Sequence, residues 1–472
     1  MTISTKDQLC PSFAVVGHPN KGKSSIVATL AQDDSVYIDR VSGSTTAARD
    51  YPMSVNGEVL YHLIDTPGFQ RARAVLAWLQ QHCDDSSRRP QTVAQFCEAH
   101  ANDLRYHNEI QLLQPILAGA GIIYVVDGSR PFGPEYEAEM EILRWTGQPS
   151  LAIINPIEGE NYLAEWETAL GQYFKTVRVF NAHRAEFIKR TDLLSVFGQL
   201  LPKWQGAIDK AVQTLKAERL HQHRQAGELI ATLLVDCIQH RESRRIPGEK
   251  LEKSLQQALL EQYQFKLRQM ENQCRTQVQE AYQYFRLKRQ EDSLQFEEDD
   301  LFDQQSWYLS GLSKTQLLAV ATGAGAGAGA LIDVGLAGHS LLLGSAVGGL
   351  SGGIGAWLFS KQIAKLTIKG LPTGGIEVFV GPANNPNFAF VLLGRALNHL
   401  QLLCTRTHAV RTEIQLQGEN NNSKALDAFT VGEKTRLMKL FKDIRNNKKT
   451  LQHRSELADL IVDYTKNLDG NI

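Results

Sequence analysis

The chain has 472 residues, 43% of them hydrophobic and 21% charged, which is enough apolar content to bury more than one core and excludes a disordered polymer. A net charge of -1 and a pI near 6.9 exclude a whole-molecule electrostatic footprint for nucleic acid, so any such surface must be local. Six cysteines, Cys10, Cys83, Cys97, Cys237, Cys274 and Cys404, are scattered without a CxxC pair, and no basic-then-apolar leader opens the sequence; the expectation is reduced thiols, a cytoplasmic chain and no cysteine-held metal.

From Phe13 to about His183 short β-branched runs alternate with helical patterns. FAVVG, VLYHLID, GIIYVVD, SLAII and TVRVFN read as strands, GPEYEAEMEILRW and NYLAEWETALGQYF as helices. That order predicts an α/β domain of three layers with a mostly parallel sheet over residues 1–200. Asn56-Gly57, between the alternating runs of YPMSVNGEVLYHLID, marks an antiparallel hairpin, and residues 70–115 read as a helical insertion.

Residues 201–312 change to Gln, Glu, Lys, Arg and Leu with helical spacing, as in Leu251, Leu255 and Leu259, and RRIPGEK breaks them into at least two long helices. Their plain reading is a solvated bundle or stalk. Residues 313–361 are rich in Gly and Ala, and from Thr315 to Phe359 the only formal charge is Asp333. Small residues recur every fourth position, at Ala321, Gly325 and Gly329, then Ser340, Gly344, Gly348, Gly352 and Ala356, which lets two helix backbones approach closely in a hairpin. Glycine costs about 1 kcal/mol per helix position in water, so this density needs a compensating environment. A protein core and a lipid bilayer both supply one, and the composition leaves the two open.

Residues 362–472 read as a small α+β region: GGIEVFVGP and NFAFVLL as a strand pair, GRALNHLQLLCTRT as a helix, then polar helices. In EKTRLMKLFKDIRNNKKTLQHR the residues Leu437, Leu440, Phe441 and Ile444 share one helical side, which suits either a solvated face over a core or a contact with anionic headgroups.

Chemistry concentrates in three short motifs. GHPNKGKSS fits GxxxxGK[ST], directly after an apolar strand and at the start of the helix SSIVATLA. Gly17 and Gly22, with Asn20 and Lys21 between them, let backbone N–H groups face phosphate; Lys23 reaches the β and γ phosphates and Ser24 ligates magnesium. In LIDTPGFQ, Asp65 holds the metal and Gly68 offers its N–H to the γ-phosphate. Between them SGSTTAARD is a polar loop suited to a threonine that closes on the metal in the triphosphate state.

With GHPNKGKSS and DTPG in this order, the chain resembles the Era-like bacterial GTPases of the TRAFAC class over about residues 11–200. The resemblance implies a P-loop fold binding GTP and GDP with Mg2+. Gly17, Asn20, Lys21, Gly22, Lys23, Ser24 and Ser25 match the P-loop, Thr46 the switch threonine with Thr45 as alternate, and Asp65 and Gly68 the DxxG motif. Lys23, Thr46, Gly68 and Asn20 take the catalytic roles, and Ser24, Thr46 and Asp65 the metal. Phe69 stands where Ras-like enzymes place a water-orienting glutamine, so hydrolysis is expected to be slow without an activator; Asn20 stands where several relatives ligate K+.

The guanine-reading motif NKxD is altered to NPIE. Asn155 fits its first position and Glu158 its last, with Pro156 for lysine; Glu158 either accepts the guanine protons or belongs to an ordinary strand exit. FNAHRA places Ala182 where the related SAK element offers an amide to guanine O6, which favours guanine over adenine. After this domain the order of helices and glycine-rich segment looks like bacterial GTPases with a C-terminal domain of no assigned role. The expected function is a nucleotide-dependent switch in the cytoplasm, associated with the inner membrane if residues 313–361 insert. The alternative is a membrane scaffold or remodelling protein whose nucleotide domain regulates assembly with little hydrolysis. Guanine nucleotide is the expected partner, membrane lipid, a membrane protein and a homodimer stay open, and nucleic acid is not expected because no KH domain follows.

Overall fold

A computed structural model describes residues 10–32, 36, 45, 47–247, 251–284, 364–371, 375–383, 385, 387–409 and 422–470. Thr46 and the predicted glycine-rich hairpin, residues 313–361, lie outside the described residues. The chain divides into two units, the first running to Leu220 and taking also Thr405–Thr412, the second made of His221–Cys404 and Glu413–Asn471.

In the first unit the elements run β1 (Ser12–Val16), α1 (Lys23–Ala31), β2 (Arg49–Val55), β3 (Glu58–Asp65), α2 (Ala72–Gln81), α3 (Arg89–Ala99), α4 (His107–Leu117), β4 (Gly121–Asp127), α5 (Glu135–Trp145), β5 (Ser150–Asn155), α6 (Leu163–Leu170), β6 (Val177–Val179) and α7 (Phe187–Leu200). Helix α8 (Pro202–Gln239) begins in this unit. The strands form one sheet in the order β2-β3-β1-β4-β5-β6, parallel except for β2. That exception is the expected hairpin: Asn56 and Gly57 both have positive φ, 52° and 80°, the geometry whose twist matches that of the flanking strands.

Alternation along the strands supplies both faces of the sheet. Phe13 and Val15 point to one side, where Ile26, Val27, Phe197, Trp204 and Ile208 bring in α1, α7 and the start of α8. Ala14 and Val16 point to the other, where Val75, Phe96, Leu112, Met140 and Trp166 bring in α2 to α6. Strand β4 is buried along its whole length, as a central parallel strand covered on both faces must be. Helices α2, α3 and α4 occupy the region expected to be a helical insertion.

The second unit holds the rest of α8, β7 (Glu242–Ile246), α9 (Lys253–Ala281), β8 (Ala364–Gly370), β9 (Ile376–Ala383), α10 (Phe388–Thr405), α11 (Asn422–Asp427), α12 (Val431–Arg445) and α13 (Thr450–Leu468). Its sheet corrects the expected strand pair: GGIEVFVGP lies in β9, but its partners are β7 and β8, both antiparallel, and NFAFVLL enters α10. A short apolar run does not separate strand from buried helix by period, and α10 is buried on nearly every side. Val378 and Val380 of β9 pack with Leu234, Tyr263, Leu392, Phe441 and Ile461. Leu437, Leu440, Phe441 and Ile444 of the basic stretch are all buried, so the apolar side of α12 faces this core. Among the described residues α10 alone is long and apolar enough to cross a membrane, and 72% of it is buried inside the unit.

Candidate functional site

Parallel strands β1, β3, β4 and β5 end side by side, with Val15 beside Asp65 and Asp127 beside Asn155 in register. Ligands in open α/β sheets bind beyond these carboxyl ends. Gly17, Asn20, Lys21, Gly22, Asp65, Gly68, Asn155 and Glu158 fall at these ends or in the loops leaving them, Lys23, Ser24 and Ser25 in the first turn of α1, and Ala182 in the loop after β6.

The loop after β1 turns by backbone conformations that side chains rarely adopt: φ is 141° at Gly17, 61° at Asn20 and 82° at Gly22. A Cβ at Gly17 would overlap the Val125 carbonyl oxygen, and one at Gly22 would overlap the Asn155 amide. Gly22 caps α1 without a side-chain bond, and no acidic residue stands in the first turn. The N–H groups of that turn and the helix dipole are therefore left for an anion.

Lys23 is 7% exposed and its Nζ donates to the His18 carbonyl at 3.0 Å. Burial pushes its pKa down, against the opposing charges of Asp65 and Glu139. Ser24 Oγ donates to Asp65 Oδ2 at 2.7 Å, and Thr45 Oγ1 donates to the same oxygen at 3.4 Å. Asp65 Oδ1 is buried with no hydrogen-bond partner among the described residues. Burial raises the Asp65 pKa, while the Ser24 bond and Lys23 oppose the rise. A desolvated carboxylate with an open oxygen beside two hydroxyls is a hard oxygen donor set that fits Mg2+. Of the two switch-threonine candidates, Thr45 is the one described, and its hydroxyl reaches Asp65.

The DTPG segment lies close to the P-loop. Thr66 Oγ1 donates to the Val15 carbonyl at 2.8 Å, and a Cβ at Gly68 would lie 2.6 Å from Pro19 N, so only glycine fits. Phe69 is 1% exposed and packs into the core that includes α2, α3 and α4. It presents no polar group to a water molecule.

At the base end Asn155 is 3% exposed and joins three loops: its Nδ2 donates to the Lys21 carbonyl at 3.3 Å and its Oδ1 accepts from Ala182 N at 3.2 Å. Thr29 of α1 donates to the Ala182 carbonyl at 2.8 Å, and Asn181 Nδ2 donates to the Pro156 carbonyl at 2.9 Å. The Ala182 amide is thus directed inward, to Asn155. Glu158 stands apart, with its side chain 72% exposed and one oxygen 3.8 Å from Arg130. Lys21 is half-buried; burial lowers its pKa and Asp127 opposes this.

Two buried acids near these loops escape motif reading. Glu139 on α5 is 1% exposed; it bonds His18 Nδ1 at 2.8 Å and accepts from Tyr124 OH at 2.9 Å, bracing the P-loop from beneath. Burial raises its pKa, and the His18 bond opposes the rise. Glu109 on α4 is fully buried and accepts the N–H groups of Gln70 and Arg71, just after Phe69. The available signal is an acid on an apolar helix face: Glu139 falls between Tyr136, Met140 and Leu143, and Glu109 beside Ile110, Leu112 and Leu113.

A family described as a 50S ribosome-binding GTPase matches residues 12–155, and one described as a domain of unknown function (DUF3482) matches residues 167–462. GTPase Der of Mycoplasma pneumoniae is 48% identical over 59 residues, 12% of this chain and 13% of that protein. GTPase Der of Paraburkholderia phymatum is 25% identical over 152 residues, 32% of this chain and 28% of that protein. The chain thus spans less than a third of the length of these relatives. A crystal structure of Era in complex with MgGDPNP and nucleotides of 16S ribosomal RNA is 13% identical, with a TM-score of 0.28 over 57% of this chain and 88% of that one. The chain belongs to the DUF3482 family, and its N-terminal unit is a P-loop GTPase domain of the bacterial TRAFAC class.

Proposed function

We propose that the first unit binds GTP with Mg2+, hydrolyses it slowly to GDP and phosphate, and acts as a nucleotide-dependent switch. The observation that carries this reading is the cluster of Ser24, Thr45 and the open oxygen of Asp65 beside the uncapped N-terminus of α1. Backbone N–H groups of the P-loop and the Lys23 ammonium receive the phosphates. Ser24 and Asp65 would hold the metal, and Thr45, or Thr46 outside the described residues, would complete its ligands in the triphosphate state. When bound, Mg2+ neutralises charge that develops on the phosphate oxygens. Gly68 gives its N–H to the γ-phosphate, and Asn155 holds the base loops against the P-loop. Water attacks the γ-phosphorus, the bond to the bridging oxygen breaks, and GDP leaves. Phe69, sealed in the core, leaves that water without a side-chain partner at this position, which keeps turnover slow without an activator.

Asn20 is exposed in the P-loop, and its amide oxygen would be the ligand for a K+ ion, which would supply positive charge beside the phosphates. The expected contact of the Ala182 amide with guanine O6 is not kept, because that amide donates to Asn155; preference for guanine over adenine then falls to the Asn155 loop, with Glu158 exposed at its rim. Titration with fluorescent GTP, GDP and ATP, with and without Mg2+, tests the reading: guanine nucleotides bind more tightly, and Mg2+ strengthens the triphosphate. Absent binding, or preference for ATP, overturns it. Phosphate release in KCl against NaCl, with Asn20→Ala as control, tests the potassium site, and equal rates discard it. The cytoplasmic assignment and any inner-membrane association belong to the same proposal; carbonate extraction of membranes separates a bound from a soluble pool.

A further inference from the structure

Between β3 and β4 the fold inserts helices that touch both loops expected to change with the γ-phosphate. Glu109, in the first turn of α4, accepts from Gln70 N at 2.8 Å and from Arg71 N at 2.6 Å. Its other oxygen, Oε2, is buried without a hydrogen-bond partner among the described residues. Two residues on, Gln111 Oε1 accepts from Ala48 N at 3.2 Å. Ala48 ends the polar loop that contains Thr45, and Thr45 donates to Asp65. One helix therefore holds the exit of the threonine loop and the exit of the DTPG loop.

A capping role alone does not account for this arrangement. Arg71 caps α2 with no side-chain bond of its own, and a serine or aspartate at that position would satisfy the same helix end without burying a carboxylate. The fold instead supplies the acceptor from α4 and adds a second bond from the same helix to the other loop. Phe69, adjacent to the gripped amides, shares a core with Leu112 and Leu113 of α4, so displacement of the DTPG loop and of α4 must be repacked together.

We propose that Glu109 and Gln111 are positioning residues, by which α4 clasps the two loops in the arrangement that receives the γ-phosphate and reports its loss to the inserted helices. The proposal rests on the GTPase reading of the unit. The clasp bears on the triphosphate state and leaves diphosphate binding to the P-loop and base loops.

The test uses the full chain with Glu109→Gln, Glu109→Ala and Gln111→Ala. Affinities for fluorescent GDP and for a non-hydrolysable GTP analogue are measured with single-turnover phosphate release, and thermal unfolding reports folding. Expected is a GDP affinity within about twofold of wild type and a loss of about tenfold or more in analogue affinity and turnover for Gln111→Ala and Glu109→Ala. Glu109→Gln, which keeps an acceptor for the two amides, falls between. Should Glu109→Ala fail to fold, the other two variants decide. Equal losses for GDP and the analogue would mark a merely structural role and overturn the clasp, as would variants indistinguishable from a wild type that binds both. A wild type that binds neither nucleotide overturns the GTPase reading, and the clasp with it.

Discussion

Replacing Asn155 with alanine removes the brace that joins the P-loop, the β5 exit and the β6 exit. The two bonds, 3.3 Å to the Lys21 carbonyl and 3.2 Å from Ala182 N, are at the long end of good geometry, so each contributes about 0.5–1 kcal/mol net. The amide left behind without an acceptor costs more. Ala182 is 1% exposed, and stranding its N–H away from water costs about 1–3 kcal/mol. With the lost Lys21 bond added to that penalty, the sum is roughly 1.5–4 kcal/mol. Nucleotide must then supply the ordering of these loops when it binds, which weakens GDP affinity by roughly 10- to 700-fold. Native-state hydrogen exchange at the Ala182 amide in nucleotide-free protein, together with titration by fluorescent GDP, measures both halves. Faster exchange with weaker binding is expected. Weaker binding with unchanged exchange would mean that Asn155 acts only through the base, and no change in either would refute the brace altogether.

Asp65→Asn removes a carboxylate whose pKa burial holds above its ordinary value, so the nucleotide-free protein should melt higher while Mg2+ no longer strengthens GTP binding; a lower melting temperature would contradict the cost assigned to that charge. Phe69→Gln places an amide in a sealed core, and a loss of about 2–5 kcal/mol in stability is expected with no acceleration of phosphate release; faster hydrolysis would show that the side chain reaches the phosphates. Burial, aided by Arg275, holds His399 down to about 3 from an ordinary 6.5. Between these values the unfolded chain binds the extra proton, so the second unit keeps this stability above about pH 6.5 and loses it as pH falls towards 3. Urea midpoints followed from pH 7.5 to 4.5 should decline, and less steeply in His399→Gln.

Much of the first unit was legible because its signals are local. Asn56-Gly57 dictates a turn whatever surrounds it, and the glycines at 17 and 22 mark backbone that must bend and approach closely. The order of P-loop, threonine loop and DTPG places three motifs at neighbouring strand ends once the strands are parallel. The second unit was less legible. NFAFVLL carries no period that separates strand from buried helix, and ESRRI, which forms β7 and includes the first residues of RRIPGEK, has no apolar alternation because none of its residues is buried. Its identity as a strand comes from the ladder with β9, a partner more than a hundred residues away in the chain.

The sequence by itself determined the phosphate chemistry: backbone geometry at a few glycines, a lysine, a hydroxyl and a carboxylate follow from residue type and spacing. Tertiary structure alone decided how that chemistry is held. Asn155 reaches Lys21 and Ala182, Glu139 reaches His18, and Glu109 reaches Gln70 and Arg71, each across a sequence gap that no local pattern encodes. Buried polar groups must find partners wherever the fold brings them, so such contacts follow from the packing of the whole unit rather than from any one segment.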